Sequence, residues 1–190
     1  MTTFENFEKF LSSITSDIQK IFEHQKEYIV CQKGCSHCCK RGDFPLSKIE
    51  FDYLMLAYNN LDENIKQLID VNVKKIKENG DFDSYNCPFL VDEVCSVYSN
   101  RPFACRTFGV LTEDAEGKPS FPFCSTIGLN YSQIYDKEKQ HLSFELVEKN
   151  NFKNYPKFFR LNNKVIMNLP LAKKLNIEFG EAKRLIDFFR

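Results

Sequence analysis

Eight cysteines gathered into two clumps constrain this chain more than any other feature of it. Cys31, Cys35, Cys38 and Cys39 form the first clump, and Cys87, Cys95, Cys105 and Cys124 the second. The second clump lies in a stretch from Gly80 to Ser125 that also carries Pro88, Pro102, Pro119 and Pro122 and keeps no sustained hydrophobic period, so it reads as loop with short helical turns and a small hairpin around Glu116-Gly117. An irregular stretch of roughly 45 residues is uncommon in a compact domain unless something else orders it. A bound metal supplies that order, and the two clumps read as two halves of one thiolate site.

The flanks are helical in pattern. Phe4, Phe7, Leu11, Ile14, Ile18 and Ile21 alternate steps of three and four and share one face of a helix, with Thr2 and Glu5 spaced as a capping box. Ser47 and Glu50 form a sharper start signal, with Leu46 and Phe51 at the staple positions, so a helix begins near Lys48 and buries Leu54, Met55 and Tyr58. A further helix spans 62–79 through Ile65, Leu68, Ile69, Val73 and Ile76, and Gly80 suits the left-handed position past its end. This pair forms a hairpin that returns the chain from one cysteine clump to the other. Beyond Asn130, the run Ile134, His141, Leu142, Phe144, Leu146 and Val147 suggests another helix, and Phe179 to Arg190 a terminal one; Lys149 to Asn163 is a weaker, Asn-rich join.

The expected fold is therefore mainly α: a small helical domain with a cysteine-rich irregular metal-binding segment and room for one short β-hairpin. Residues 1–150 form the cysteine-cluster domain with its N-terminal helix, and 151–190 a C-terminal helical extension. A chain of 190 residues buries a real core without covalent staples, so the cysteines are not obligatory scaffolding. The acid-bearing N-terminus does not resemble a secretory signal, and no apolar run reaches the length of a membrane span. The expected location is the cytoplasm, where clustered cysteines hold metal or do redox chemistry more often than they form disulfides. Equal numbers of basic and acidic residues, 26 of each, argue against nucleic acid or an anionic membrane as principal partner, and leave a protein partner open.

A thiolate site needs several sulfurs about 2.3 Å from a metal, and short Cys-to-Cys loops supply them. Cys35 and Cys38 have that spacing, and Gly34 permits the tight turn beside them. Eight thiols exceed the four that one tetrahedral zinc takes and suit two ions, one cluster with spare cysteines, or one ion with a reactive thiol, Cys39 or Cys31 being the candidates left over. Cys38 and Cys39 are hard to assign to one zinc because consecutive side chains tend to point apart. The adjacent pair and Cys87-Pro88 favour an iron-sulfur cluster over zinc. A zinc site from Cys35 and Cys38 with two of Cys87, Cys95 and Cys105 stays open. Four thiolates leave either kind of centre at a net charge of about −2, which nearby cations offset. Lys33, Lys40, Arg41, Arg101 and Arg106 lie close in sequence, with Arg106, next to Cys105, the first choice. His37 sits between two cysteines but competes poorly with sulfur as a ligand, and His24 and His141 have no such context.

The series Cys31-x3-Cys35-x2-Cys38-Cys39, then Cys87-Pro88-Phe89-Leu90, then Cys95 through Tyr98, Arg101-Pro102, Cys105-Arg106 and Phe108 resembles the YkgJ-type cysteine-cluster family, a proposed zinc- or iron-chelating domain, over roughly residues 31–125. The resemblance implies a small helical domain binding zinc, iron or an iron-sulfur cluster. It carries Cys35, Cys38, Cys39, Cys87, Cys95 and Cys105 over as motif cysteines, Cys31 and Cys124 less securely, and matches Arg101 and Arg106 among its recurring positions. One branch is similar to flagellin lysine N-methylases. The alternatives to a structural, sensory or redox metal centre are therefore a metal-dependent protein-modifying enzyme and a zinc-stabilised interaction module. Against the enzyme stands the absence of any Gly-x-Gly for a nucleotide-type cofactor.

Overall fold

A computed structural model describes residues 3–32, 34–41, 44–80, 85–113, 118–161 and 163–189. The architecture is mainly α with small antiparallel strand pairs. Helix α1 (Thr3–His24) buries Phe7, Phe10, Leu11, Ile14 and Ile18; of the stripe read from the sequence, Phe4 and Ile21 stay half-buried, and Phe10 joins it. Its expected Thr2 cap lies outside the described residues.

Strand β1 (Pro45–Ser47) leads directly into α2 (Lys48–Asn59). The capping box forms as expected: Glu50 Oε2 accepts from Ser47 N at 2.8 Å and from Ser47 Oγ at 2.7 Å. Helix α3 (Glu63–Asn79) ends on Gly80, left-handed at φ 65°. Ile69, Val73 and Ile76 face the core, while Leu68 faces solvent. Then come a hairpin of β2 (Leu90–Val91) and β3 (Val94–Cys95), the short helix α4 (Phe103–Thr107), and a second hairpin of β4 (Thr112–Glu113) and β5 (Pro119–Ser120). The expected turn at Glu116-Gly117 lies outside the described residues, although β4 and β5 pair on either side of it.

Two sequence expectations give way here. Residues 134–142 are not helical: β6 (Tyr135–Asp136) and β7 (His141–Leu142) form a hairpin, and helix α5 (Phe144–Lys149) begins only after Ser143, whose Oγ accepts from Leu146 N. Asp136 drives the turn by accepting from the backbone N–H groups of Glu138 and Lys139, a local competition that helix periodicity does not register. After α6 (Asn163–Met167) and α7 (Pro170–Lys174), the C-terminal stretch is likewise not an α-helix. It forms β8 (Ala182–Arg184), antiparallel to β1, and then a 3₁₀ turn, Leu185–Phe188.

Among the described residues, three apolar clusters result. One joins α2, α3 and the C-terminal turn around Leu54, Ile69, Phe89 and Ile186. Another packs α1 against α4, α6 and α7 through Phe7, Phe10, Phe103 and Ile166. The third gathers Tyr28, Leu111, Tyr131, Ile134 and Val147. Residues after 151 thus join the same cores and sheet as the residues before them.

Candidate metal centre

All eight cysteines line one cavity of about 570 Å³. Its remaining wall combines apolar side chains, among them Ile18 and Phe22 of α1, Phe44, Leu54, Phe89 and Phe108, with the polar His37, Glu93, Arg101, Arg106 and Asn130. The cysteines reach it from four segments of the chain, and the ties between those segments explain how.

The first clump turns tightly: Cys35 N donates to Gln32 O, Lys40 N to Ser36 O and Arg41 N to Cys38 O. This curl sets the sulfurs of Cys38 and Cys39 3.9 Å apart. Sulfurs bound to one tetrahedral ion at about 2.3 Å stand about 3.8 Å from each other. The expectation that these neighbours point apart is therefore corrected, because the local turn overrides the divergence of an extended chain.

The second clump is fastened to the first. Cys87 N donates to Cys39 O at 2.6 Å. Glu93, at the tip of the β2–β3 hairpin, takes Ser36 Oγ at 2.5 Å and Lys40 Nζ at 2.6 Å. Glu93 and Asp92 both have positive φ, 62° and 49°, as a two-residue hairpin turn of this hand demands. Phe44 packs edge-on to Phe108, and Arg41 lies 3.8 Å over the Phe123 ring. Glu50 does two jobs: Oε2 caps α2, while Oε1 accepts from Phe103 N at 2.8 Å and so holds the first turn of the helix bearing Cys105.

Asn130 is the least conspicuous in sequence and the most completely used in the structure. Fully buried, it accepts from Val30 N and Cys31 N on Oδ1, both at 3.0 Å, and donates from Nδ2 to Gly109 O at 2.8 Å. Backbone bonds from Ile127 N and Leu129 N to Cys124 O join it to the last cysteine. Gly109 has φ 99°, and a Cβ there would meet Asn130 Nδ2 at 2.9 Å. Nothing in the local pattern marks Asn130, Glu93 or this second role of Glu50; each depends on a long-range contact.

The cations divide their work. Arg106 donates from Nε to Arg101 O and from Nη2 to Ser99 O, so it lines the cavity but spends these donors on the loop backbone. Arg101 lies 3.7 Å over the Tyr98 ring, and its Nε is buried without a partner. Its charge acts on Cys38, Cys95 and Cys105. Lys33 lies outside the described residues. His37 lines the cavity but is exposed, and His24 packs on Phe159.

Burial governs the protonation of the thiols. It pushes Cys87 up to about 12 and raises Cys95, Cys105 and Cys124. The hydrogen bond between Cys38 and Cys39 lowers Cys38 to about 7 and raises Cys39.

Among the described residues no three Cys, His, Asp or Glu side chains stand close enough to hold a single ion between them. The sulfurs line the walls of a chamber and do not meet at a point. The donor set nevertheless suits a thiophilic centre: eight soft sulfurs, and one orphaned buried N–H on a cation whose charge acts on three of them. The CxxCxxCC family model, a proposed zinc- or iron-chelating domain, matches residues 30–125, a span that contains every cysteine. The chain belongs to this family. The CxxCxxCC region supplies the thiol-bearing walls, and α1, outside the match, supplies Ile18 and Phe22. No curated protein and no solved structure matches the chain. Among the described residues, no helix is long and apolar enough to cross a membrane.

Proposed function

We propose that this CxxCxxCC protein holds an iron-sulfur cluster, with mononuclear zinc or iron as the alternative occupant, in the cysteine-lined cavity. Cys35, Cys38, Cys39, Cys87, Cys95 and Cys105 are the ligand set, supplemented from Cys31 and Cys124, and Arg101 and Arg106 offset the centre's negative charge. One observation carries this reading: eight thiols from two distant stretches of chain border a single cavity. The orphaned Nε–H of Arg101, beside the cavity, would find an acceptor in a thiolate of such a centre. When bound, such a centre would supply electron transfer or Lewis acidity; the same reading places the protein in the cytoplasm, with the metal as its partner, nucleic acid not among its partners and a protein partner left open.

Iron, acid-labile sulfide and zinc are to be assayed in protein purified anaerobically. A cluster gives brown protein with broad visible absorbance and matching iron and sulfide. Colourless protein with stoichiometric zinc reverses the preference, and protein with none of the three removes the reading.

A further inference from the structure

The cavity has a wall that its thiols do not account for, and that wall is of one chemical kind. The family match covers residues 30–125, yet the cavity is also lined by Thr15, Ile18, Gln19 and Phe22 of α1, by Leu129 and Asn130, and by Leu185 of the C-terminal turn. None of these carries a charge or a soft donor for a metal. Positions 15, 18, 19 and 22 share one face of α1, which meets the core stripe at Ile18. The last turns of the helix therefore serve the cavity as well as the core.

The polar groups of the cavity are engaged elsewhere. Glu93 holds Ser36 and Lys40, Arg106 donates to two backbone carbonyls, and Asn130 answers three backbone groups. Arg101 lies over Tyr98, and its orphaned Nε–H goes to the metal centre under the reading above. The mouth is open, with Val94 and Tyr98 on its rim 57% and 49% exposed. A shell that served only to keep water from a metal would be closed there.

We propose that the cavity is also the binding site of a small, neutral, apolar organic molecule, which enters past Val94 and Tyr98 and lies against Ile18 and Phe22 of α1. Its volume of about 570 Å³ falls in the range of small-molecule sites, roughly 300–1,000 Å³ with mostly apolar walls. Neutrality follows from the engaged charges: an ionic ligand would lose its water and find no counter-charge at the α1 face. The pocket goes beyond the metal reading and stands on a helix which that reading does not use.

Equilibrium dialysis of the full chain, purified anaerobically, tests this with N-phenylnaphthylamine and its anionic counterpart anilinonaphthalene sulfonate, metal content being measured in the same samples. The expected result is one equivalent of the neutral probe bound with a micromolar Kd, and the sulfonate bound at least tenfold more weakly. Phe22→Ala is expected to weaken binding of the neutral probe about tenfold, and Phe22→Leu, which keeps the apolar bulk and the fold, to weaken it less. Val71→Ala, exposed on α3 and outside the cavity wall, is expected to leave binding unchanged. No saturable uptake of the neutral probe by metal-bearing protein, sulfonate bound as tightly, or uptake unchanged in both Phe22 variants overturns the pocket and leaves the metal centre standing. Neutral probe bound by protein that holds no metal upholds the pocket and removes the centre.

Discussion

Asn130 shows how one uncharged side chain can set a site without touching its chemistry. It answers three backbone groups from two distant segments, and its removal leaves them without this partner, the Gly109 carbonyl in a buried setting. Asn130→Ala is expected to cost about 1–3 kcal/mol of stability, read as a lower urea midpoint at unchanged m-value. Gly109→Ala is expected to reproduce part of that loss, because it adds both a strained φ and a Cβ against the same amide. The thiols make a separate prediction. Burial holds Cys87, Cys95, Cys105 and Cys124 protonated above the range of an unfolded thiol, so the folded metal-free chain retains protons that the unfolded chain has lost. Stability of the metal-free protein therefore falls as pH rises past about 8.5. Thermal melts from pH 7 to 10 in the presence of chelator check the sign; a midpoint constant or rising across that range contradicts it.

Among the elements, α2 and α4 depend on one carboxylate. Glu50 caps the first and fixes the start of the second, so Glu50→Ala is expected to destabilise the chain by about 2 kcal/mol and to reduce metal content at Cys105, whereas Asp17→Ala on exposed α1 is expected to do neither. Elemental analysis beside a melting curve separates the two effects. Elements with a strong local signal were legible in the sequence. The stripe of α1, the Ser47-Glu50 box and the Gly80 stop are each written within a few residues. The β6–β7 hairpin and β8 were not, and for physical reasons. The first rests on Asp136 bonding its own turn, and the second on β1, more than a hundred residues upstream, which offers an edge that no periodicity within 179–190 encodes.

At the scale of the molecule, two cysteine clumps separated by a helical hairpin return to one chamber, as the sequence pattern led one to expect. What the sequence did not convey is that the sulfurs stand around a space and not at a point, and that the ties between the clumps run through Glu93, Glu50 and Asn130. Such ties are long-range and made by common polar residues, whereas cysteine spacing is local and rare. The stretch 87–109 lines much of the cavity, so its occupant is also expected to order it. Limited proteolysis is expected to cut this stretch faster after metal removal, and Cys105→Ser to reproduce that rate without a chelator. The most direct measurement is the metal content of the full-length protein purified without oxygen. The account predicts iron or zinc bound in stoichiometric amount and lost when Cys38 and Cys105 are both replaced by serine; protein free of transition metal, or metal retained undiminished by that double variant, contradicts it.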